Sequence, residues 1–325
     1  MSSQARLWRP TGRILLALWS GGFGGVAPGS AQSVHAGTSV QAMMHNVDYH
    51  VDETIVLHIS YLRGRLEPVR ANAPVILDDG KSFVLAIDSA RVRVSAEAIG
   101  ALLNRYAFAY SGAPLRHLRI TVEGNRLRQR GRMNGMPFNL LSEVTVTPAG
   151  ELRLHTVSIK AFGIPVKGVM GFLGMRLEKM LDLSKAKGIR AEQNDLLISP
   201  MAIVPPPLLR GHLAAIELAD SSMVQVFRPE HGPAPAPLLR PDNTAMNYLY
   251  FRGGSLRFGL LTMTPADLFI EDADPTNPFD VYLAHYNDQL IAGFSRNTAS
   301  YGLITTMPDY RALKQGAHRI ALPKP

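Results

Sequence analysis

Residues with the type and spacing for chemistry are few and scattered. The run RLRQRGR sets Arg126, Arg128, Arg130 and Arg132 at every second position. On an extended strand all four guanidinium groups leave the same face, because successive side chains alternate sides. Such a row suits phosphate oxygens at an anionic surface. It equally suits the solvated outer face of a sheet whose inner face is apolar. An acidic segment, EDADPTNPFD, offers Asp272, Asp274, Asn277 and Asp280 as oxygen donors of the kind calcium takes. It lacks the glycine and the closing glutamate of a helix–loop–helix calcium loop, and Asp-Pro and Asn-Pro also start ordinary turns. Asp272, Asp274 and Asp280 are therefore candidates to which no metal is assigned. His45, Asp48, His50 and Asp52 fall close together, but without defined metal-ligand spacing.

Signatures of catalysis are missing. There is no GxSxG elbow, no P-loop, no GxGxxG after a strand and no HExxH. The chain has no cysteine, which removes thiol chemistry and thiolate metal sites. The expectation is a non-catalytic protein without a cofactor. Nucleic acid fits poorly as a partner, because no aromatics interleave with the arginines to stack bases.

The 325 residues are 46% hydrophobic and only 18% charged, so apolar surface is plentiful for a chain that can build a large core. At the N-terminus Arg6, Arg9 and Arg13 precede an apolar stretch from Ile14 to Ala27, and Gly29-Ser30-Ala31 gives a small-residue exit. That is the layout of a secretory leader cleaved near Ala31, and it predicts an exported, periplasmic or envelope-associated protein. Removing residues 1–31 takes away three arginines and lowers the net charge from +8 to +5. Residues 32–45 are small, polar and expected to be flexible.

The elements that must position these residues are mostly strands. Near-alternation from Asn46 to Leu66 reads as a strand pair or one long strand, and Asp78-Asp79-Gly80 as a hairpin turn before SFVLAIDSARVRVS. Ser95 caps a helix whose apolar positions are Ile99, Leu102, Leu103 and Tyr106. Strands over 117–122, 126–133, 136–147 and 151–161 follow as an antiparallel meander, turned at Gly124-Asn125, Asn134-Gly135 and Ala149-Gly150. One face of it is apolar, and a parity shift after His155 predicts a bulge. From Pro165 to Gly188 the i, i+3, i+4 spacing of Val169, Phe172, Leu173, Leu177, Met180 and Leu181 predicts an amphipathic helix. Its remaining face carries Gly168, Gly171, Gly174 and Met175 rather than charge. GIRAEQ and DLLIS are two more strands, and a hairpin runs from about 211 to 227. Five prolines mark 229–243 as a linker, and 244–325 reads as a β-rich extension, with DVYLAHYNDQLIAGF among its strands.

The succession SAEAIGALLNR, LRITVEGNRLRQRGRM, GELRLHTVSIKAFGIPVKGVMGFL and GIRAEQNDLLIS resembles the LmeA-type family of exported phospholipid-binding proteins, and more broadly tubular lipid-binding (TULIP-like) domains. The resemblance covers about residues 46–200, within a domain drawn at 46–228. It implies an α+β fold in which a long, strongly curved antiparallel sheet wraps around the amphipathic helix. An apolar cleft between them would hold phospholipid acyl chains. Ile120, Val122, Phe138, Leu140, Val144, Val146, Leu152 and Leu154 would line it from the sheet. Val169, Phe172, Leu173, Leu177, Met180 and Leu181 would line it from the helix. The arginines 126, 128, 130 and 132 would meet headgroups or an anionic membrane. The alternatives are an envelope scaffold with a filled core and a metal-dependent enzyme built on the 271–280 loop. No protein partner is assigned.

Overall fold

The computed structural model describes residues 39–161, 164–165, 176–300 and 302–316. The expected leader lies outside these residues, as do Gly168, Val169, Gly171, Phe172, Leu173, Gly174 and Met175 of the expected helix.

β1 (Val40–His50) and β2 (Val56–Pro68) form an antiparallel pair. Asp52 closes the turn between them by accepting from the Thr54 and Ile55 amides, each at 2.8 Å. β3 (Val75–Ile76) and β4 (Phe83–Ser95) follow. Ser95 then caps α1 (Ala96–Leu102), accepting from the Ala98 amide at 3.0 Å as an N-cap serine should. The helix continues into a π-helical turn, Leu103–Ala107. The meander is β5 (Leu115–Glu123), β6 (Arg126–Met133), β7 (Met136–Val146) and β8 (Leu152–Ala161). Next come β9 (Ile164–Pro165), α2 (Leu177–Met180), β10 (Ile189–Glu192), β11 (Asp195–Ile198) and α3 (Pro200–Ile203). β12 (Leu208–Arg210), β13 (His212–Ala219) and β14 (Ser222–Arg228) lead to the proline-rich segment. Beyond it are β15 (Tyr248–Gly253), β16 (Leu256–Phe258), β17 (Leu261–Met263), β18 (Ala266–Asp272) and β19 (Phe279–Val281). The chain ends in α4 (Tyr286–Ala292), β20 (Phe294–Asn297), β21 (Leu303–Met307) and α5 (Tyr310–Lys314).

Most strands belong to two sheets. Among the described residues the main sheet has 11 strands in the order β13-β14-β4-β2-β1-β15-β18-β21-β20, with β12 beside β4 and β19 beside β1. It curls into a half-barrel, mostly antiparallel. The strands after the proline-rich segment are thus neighbours of the first strands, through antiparallel pairs from Gln41↔Arg252 to His45↔Tyr248. The second sheet has seven strands, β10-β11-β8-β7-β6-β5 plus β9 on β8. A small sheet joins β17, β16 and β3.

The meander forms where turn chemistry specifies it. Asn134 and Gly135 take φ of 49° and 83°, the left-handed pair that a tight hairpin turn needs. The expected bulge lies where Leu141/Ser142 oppose Ser158/Thr156. Leu127, Gln129 and Met133 turn inward, and the intervening arginines turn out.

Two expectations fail, and a third lies largely outside the described residues. Of the helix drawn from Pro165 to Gly188, residues 166–175 lie outside the described residues; α2 is a single helical turn, and 181–188 is not helical. Ile164 and Pro165 pair with β8 instead. Leu181 is already extended, and Asp182 ends the helix by accepting from the Ser184 amide at 3.1 Å and hydroxyl at 2.6 Å. The Asp78–Gly80 turn does not close a hairpin, because β3 pairs in parallel with β16 while β4 pairs with β2. Within DVYLAHYNDQLIAGF only the ends belong to strands, β19 and the first residue of β20, and 286–292 is helical. Its Gln289 is buried, donating to Asp280 O at 2.9 Å and Pro308 O at 2.8 Å.

The tail carries large side chains at the centre of the core. Leu268, Phe269 and Phe279 are 0% exposed, and each contributes roughly 1.5–3 kcal/mol by burial. Truncation after Asn243 removes them and leaves β1 paired only with β2. Such a chain is expected to lose its cooperative thermal transition by circular dichroism. A retained transition would mean that the first strands fold unaided.

Candidate functional site

The curl of the main sheet begins at backbone irregularities. β2 and β4 slip register between Arg63 and Gly64. A Cβ on Gly64 would stand 2.3 Å from Ala86 O, so only glycine allows this approach. The extra residue bends β4 and increases its twist. Phe83, Leu85 and Ile87 before the irregularity, and Val92 and Val94 after it, all face the concave side.

A cavity of about 200 Å³ lies against that concave face. The β2 side chains Leu57, Ile59, Leu62 and Leu66 contribute to it, with Leu249 and Phe251 of β15. Ile99, Leu102 and Leu103 cover it from α1 and the π-helical turn, Met201 and Ile203 from α3. Val204, Pro205 and Pro207 are half-buried and Pro206 is exposed, so this segment forms part of the rim. Gln225 and the Tyr49 phenol are the polar side chains in the lining. Burial pushes the Tyr49 phenol up to about 12, with the neighbouring Tyr282 adding to the effect, so it stays neutral. The cavity therefore presents hydrocarbon with neither a charge nor a nucleophile.

The residues expected to line a cleft surround a different space. Ile120, Phe138, Leu140, Leu152 and Leu154 enclose a void of about 40 Å³ inside the second sheet. Leu152 also reaches the large cavity. Val122 and Val144 pack half-buried on the core of the second sheet, and Val146 on that of the main sheet. Leu177 and Leu181 are buried in the second core, with Met180 beside it. Val169, Phe172 and Leu173 lie outside the described residues. The large cavity is instead lined by residues between 44 and 103 and between 198 and 283. The period-two pattern of β2 and β4 marked these as strand residues. What the pattern does not carry is the register slip that bends them.

The arginine row divides in two. Arg126 pairs with Glu143 at 2.7 Å. Arg128 pairs with Glu123 and donates to Asn139 Oδ1 at 2.9 Å. The hydrogen bond from Arg128 to Glu123, more than the charges of Arg128 and Arg130, holds the Glu123 carboxyl below its usual range. Among the described residues Arg130 and Arg132 have no carboxylate partner; Arg132 donates to Gly135 O at 3.4 Å. Sequence reasoning missed Arg116 and Arg119 of β5, which the register sets opposite Arg132 and Arg130.

The three aspartates do not converge, and no group of three or more His, Asp or Glu side chains is arranged for a metal among the described residues. Asp274 is occupied by the Thr276 amide at 3.0 Å and hydroxyl at 2.6 Å. Asp272 accepts from the Asp274 amide at 2.9 Å and from Asn247 at 3.0 Å. Asp280 lies buried 2.7 Å from His50 Nε2 and 3.3 Å from Arg311. The His50 contact is out of hydrogen-bond alignment. Tyr282 stacks on the His50 ring and Tyr310 meets it edge-on. His50 is thus a core residue rather than part of a ligand set with His45, Asp48 and Asp52.

No protein-family model, no curated protein and no solved structure matches the chain. What it does must be argued from its own geometry.

Burial drives Asp272 up from 3.8 to about 7 and Asp309 up to about 6. A raised carboxyl holds its proton in the folded state after the unfolded chain has released it. The contribution of these two carboxyls to stability is therefore fully present up to the ordinary carboxylate value and is lost as pH rises toward about 7. The melting temperature should decline across that window, and Asp272→Asn should flatten the decline in a pH series of thermal melts. An unchanged slope would mean that Asp272 ionises freely.

Proposed function

We propose that this is a non-catalytic lipid-binding or lipid-carrier protein of the bacterial cell envelope, and that the concave side of the main sheet holds an acyl chain. The cavity is the observation that carries the reading. Left dry, about 200 Å³ of internal space would cost about 5 kcal/mol at ~24 cal/mol per Å³. Total stability is about 5–15 kcal/mol for a typical domain, so that cost is large. Water is a poor filler, because each molecule needs about 2–4 polar partners and the lining offers few. A hydrocarbon chain has no such need, and each methylene it buries contributes about 0.8 kcal/mol.

Other features support the same reading. The N-terminal pattern is that of an exported chain. The order of elements from Ser95 to Ser199 resembles that of the LmeA-type and TULIP-like lipid binders. The proposed site differs from the one the resemblance implies: it lies at the main sheet instead of between the meander and a long helix. Headgroup identity stays open, because the lining supplies no charge to choose one.

Ile59 and Val92 are directly opposite on β2 and β4, and both face the cavity. Replacing both with phenylalanine fills space that a ligand would need. The double variant is expected to take up a pyrene-labelled fatty acid at least tenfold less well in a fluorescence titration. Its melting temperature, once lipid is removed, should be equal to or above that of the parent. Undiminished uptake would place the ligand elsewhere and sink the proposal.

A further inference from the structure

The outer face of the second sheet is polarised along its strands. At one end the register runs Glu123↔Arg126↔Glu143↔His155↔Asp195 across β5, β6, β7, β8 and β11. Acids alternate with basic residues there. Arg126 pairs with Glu143, Arg128 with Glu123, and Arg153 and His155 with Asp195. Toward the Asn134-Gly135 turn the register runs Arg119↔Arg130↔Asn139↔Lys160, and beyond it Arg116↔Arg132↔Pro137. Those rows contain no acid. Arg116, Arg119, Arg130 and Arg132 are all exposed. Among the described residues Arg116 and Arg132 donate only to main-chain oxygens, Ala113 O at 3.3 Å and Gly135 O at 3.4 Å.

Like charges directly opposite on neighbouring strands are destabilising. Here two such arginine pairs sit side by side, while acids are used freely a few residues away. The arrangement is costly to the fold alone and becomes favourable when an anion covers it. Strands lie about 4.8 Å apart and alternate residues such as Arg130 and Arg132 about 6.8 Å apart; on β5 a register irregularity between Arg116 and Arg119 sets these two opposite the same pair, so the four arginines form a compact group. A guanidinium fork matches phosphate oxygens in pairs. β5 is the terminal strand of its sheet. Met136, 47% exposed, adds an apolar side chain beside the turn. The group lacks aromatic side chains that would stack nucleic-acid bases.

We infer that Arg116, Arg119, Arg130 and Arg132 form a docking face for an anionic phospholipid bilayer, and that Arg126 and Arg128, neutralised by glutamates, take no part. This does not depend on what fills the cavity, since a protein with an empty cavity would dock in the same way.

Co-sedimentation of the protein with vesicles of phosphatidylcholine doped with phosphatidylglycerol, against phosphatidylcholine alone, tests it. The parent should prefer the doped vesicles at low salt and release them as salt rises. Each basic residue at an anionic surface contributes about fivefold, so Arg119→Gln with Arg130→Gln should lower partitioning on the order of 30-fold. Arg126→Gln with Arg128→Gln removes the same charge and should lower it far less. The first variant relieves a like-charge pair, so its melting temperature should equal or exceed that of the parent, which separates lost docking from lost folding. Equal losses in the two variants would reduce the effect to net charge and overturn the inference. So would a parent indifferent to phosphatidylglycerol. Tighter binding of a short RNA through the same arginines would overturn it in favour of nucleic acid.

Discussion

An apolar sheet face has to be covered, and here the sheet bends away faster than its own side chains can fill the space. Gly64 and the register slip beside it turn β4 across β2. The concave face that results gathers leucine, isoleucine and valine side chains from β2 and β4 and meets α1 and α3 across a gap. Most other features follow from that gap. The tail strands extend the curl by pairing with β1. The second sheet contributes Leu152 and Ile198 to the far wall. A core with this much free volume and so little polarity is stabilised by a hydrocarbon guest.

Charge is kept away from that interior and spent on the outside. The cavity's phenol stays neutral, and the arginines leave the opposite face of the second sheet. Their distribution is graded, with neutral pairs at one end and unpaired cations at the other. A net charge says nothing of such a gradient; the register does. The two proposals thus rest on separate parts of the molecule: hydrocarbon is held inside one sheet, and phosphate is met outside the other.

Local signals in the sequence were read well, and distant ones were not. Asn134-Gly135, Ser95 and the parity change near His155 each specify geometry within a few residues, and each is found as expected. The pairing of Met43 with Tyr250, or of Arg119 with Arg130, depends on how strands meet in space. Hydrophobic period cannot reveal it. The amphipathic helix was drawn too wide at both ends, because Ile164 and Pro165 are drawn into β8's ladder and Asp182 takes up the Ser184 amide. Its apolar spacing puts Leu177 and Leu181 into the second core. The cavity was missed because a bulge leaves only a glycine in the sequence, and a glycine in a strand has several uses.

The central claim is that the space enclosed by the main sheet is occupied in the cell. It is tested most directly by mass spectrometry of an organic extract of the protein, purified from its own envelope without detergent. The account predicts a near-stoichiometric phospholipid or fatty acid. An extract free of acyl-chain lipid would contradict it.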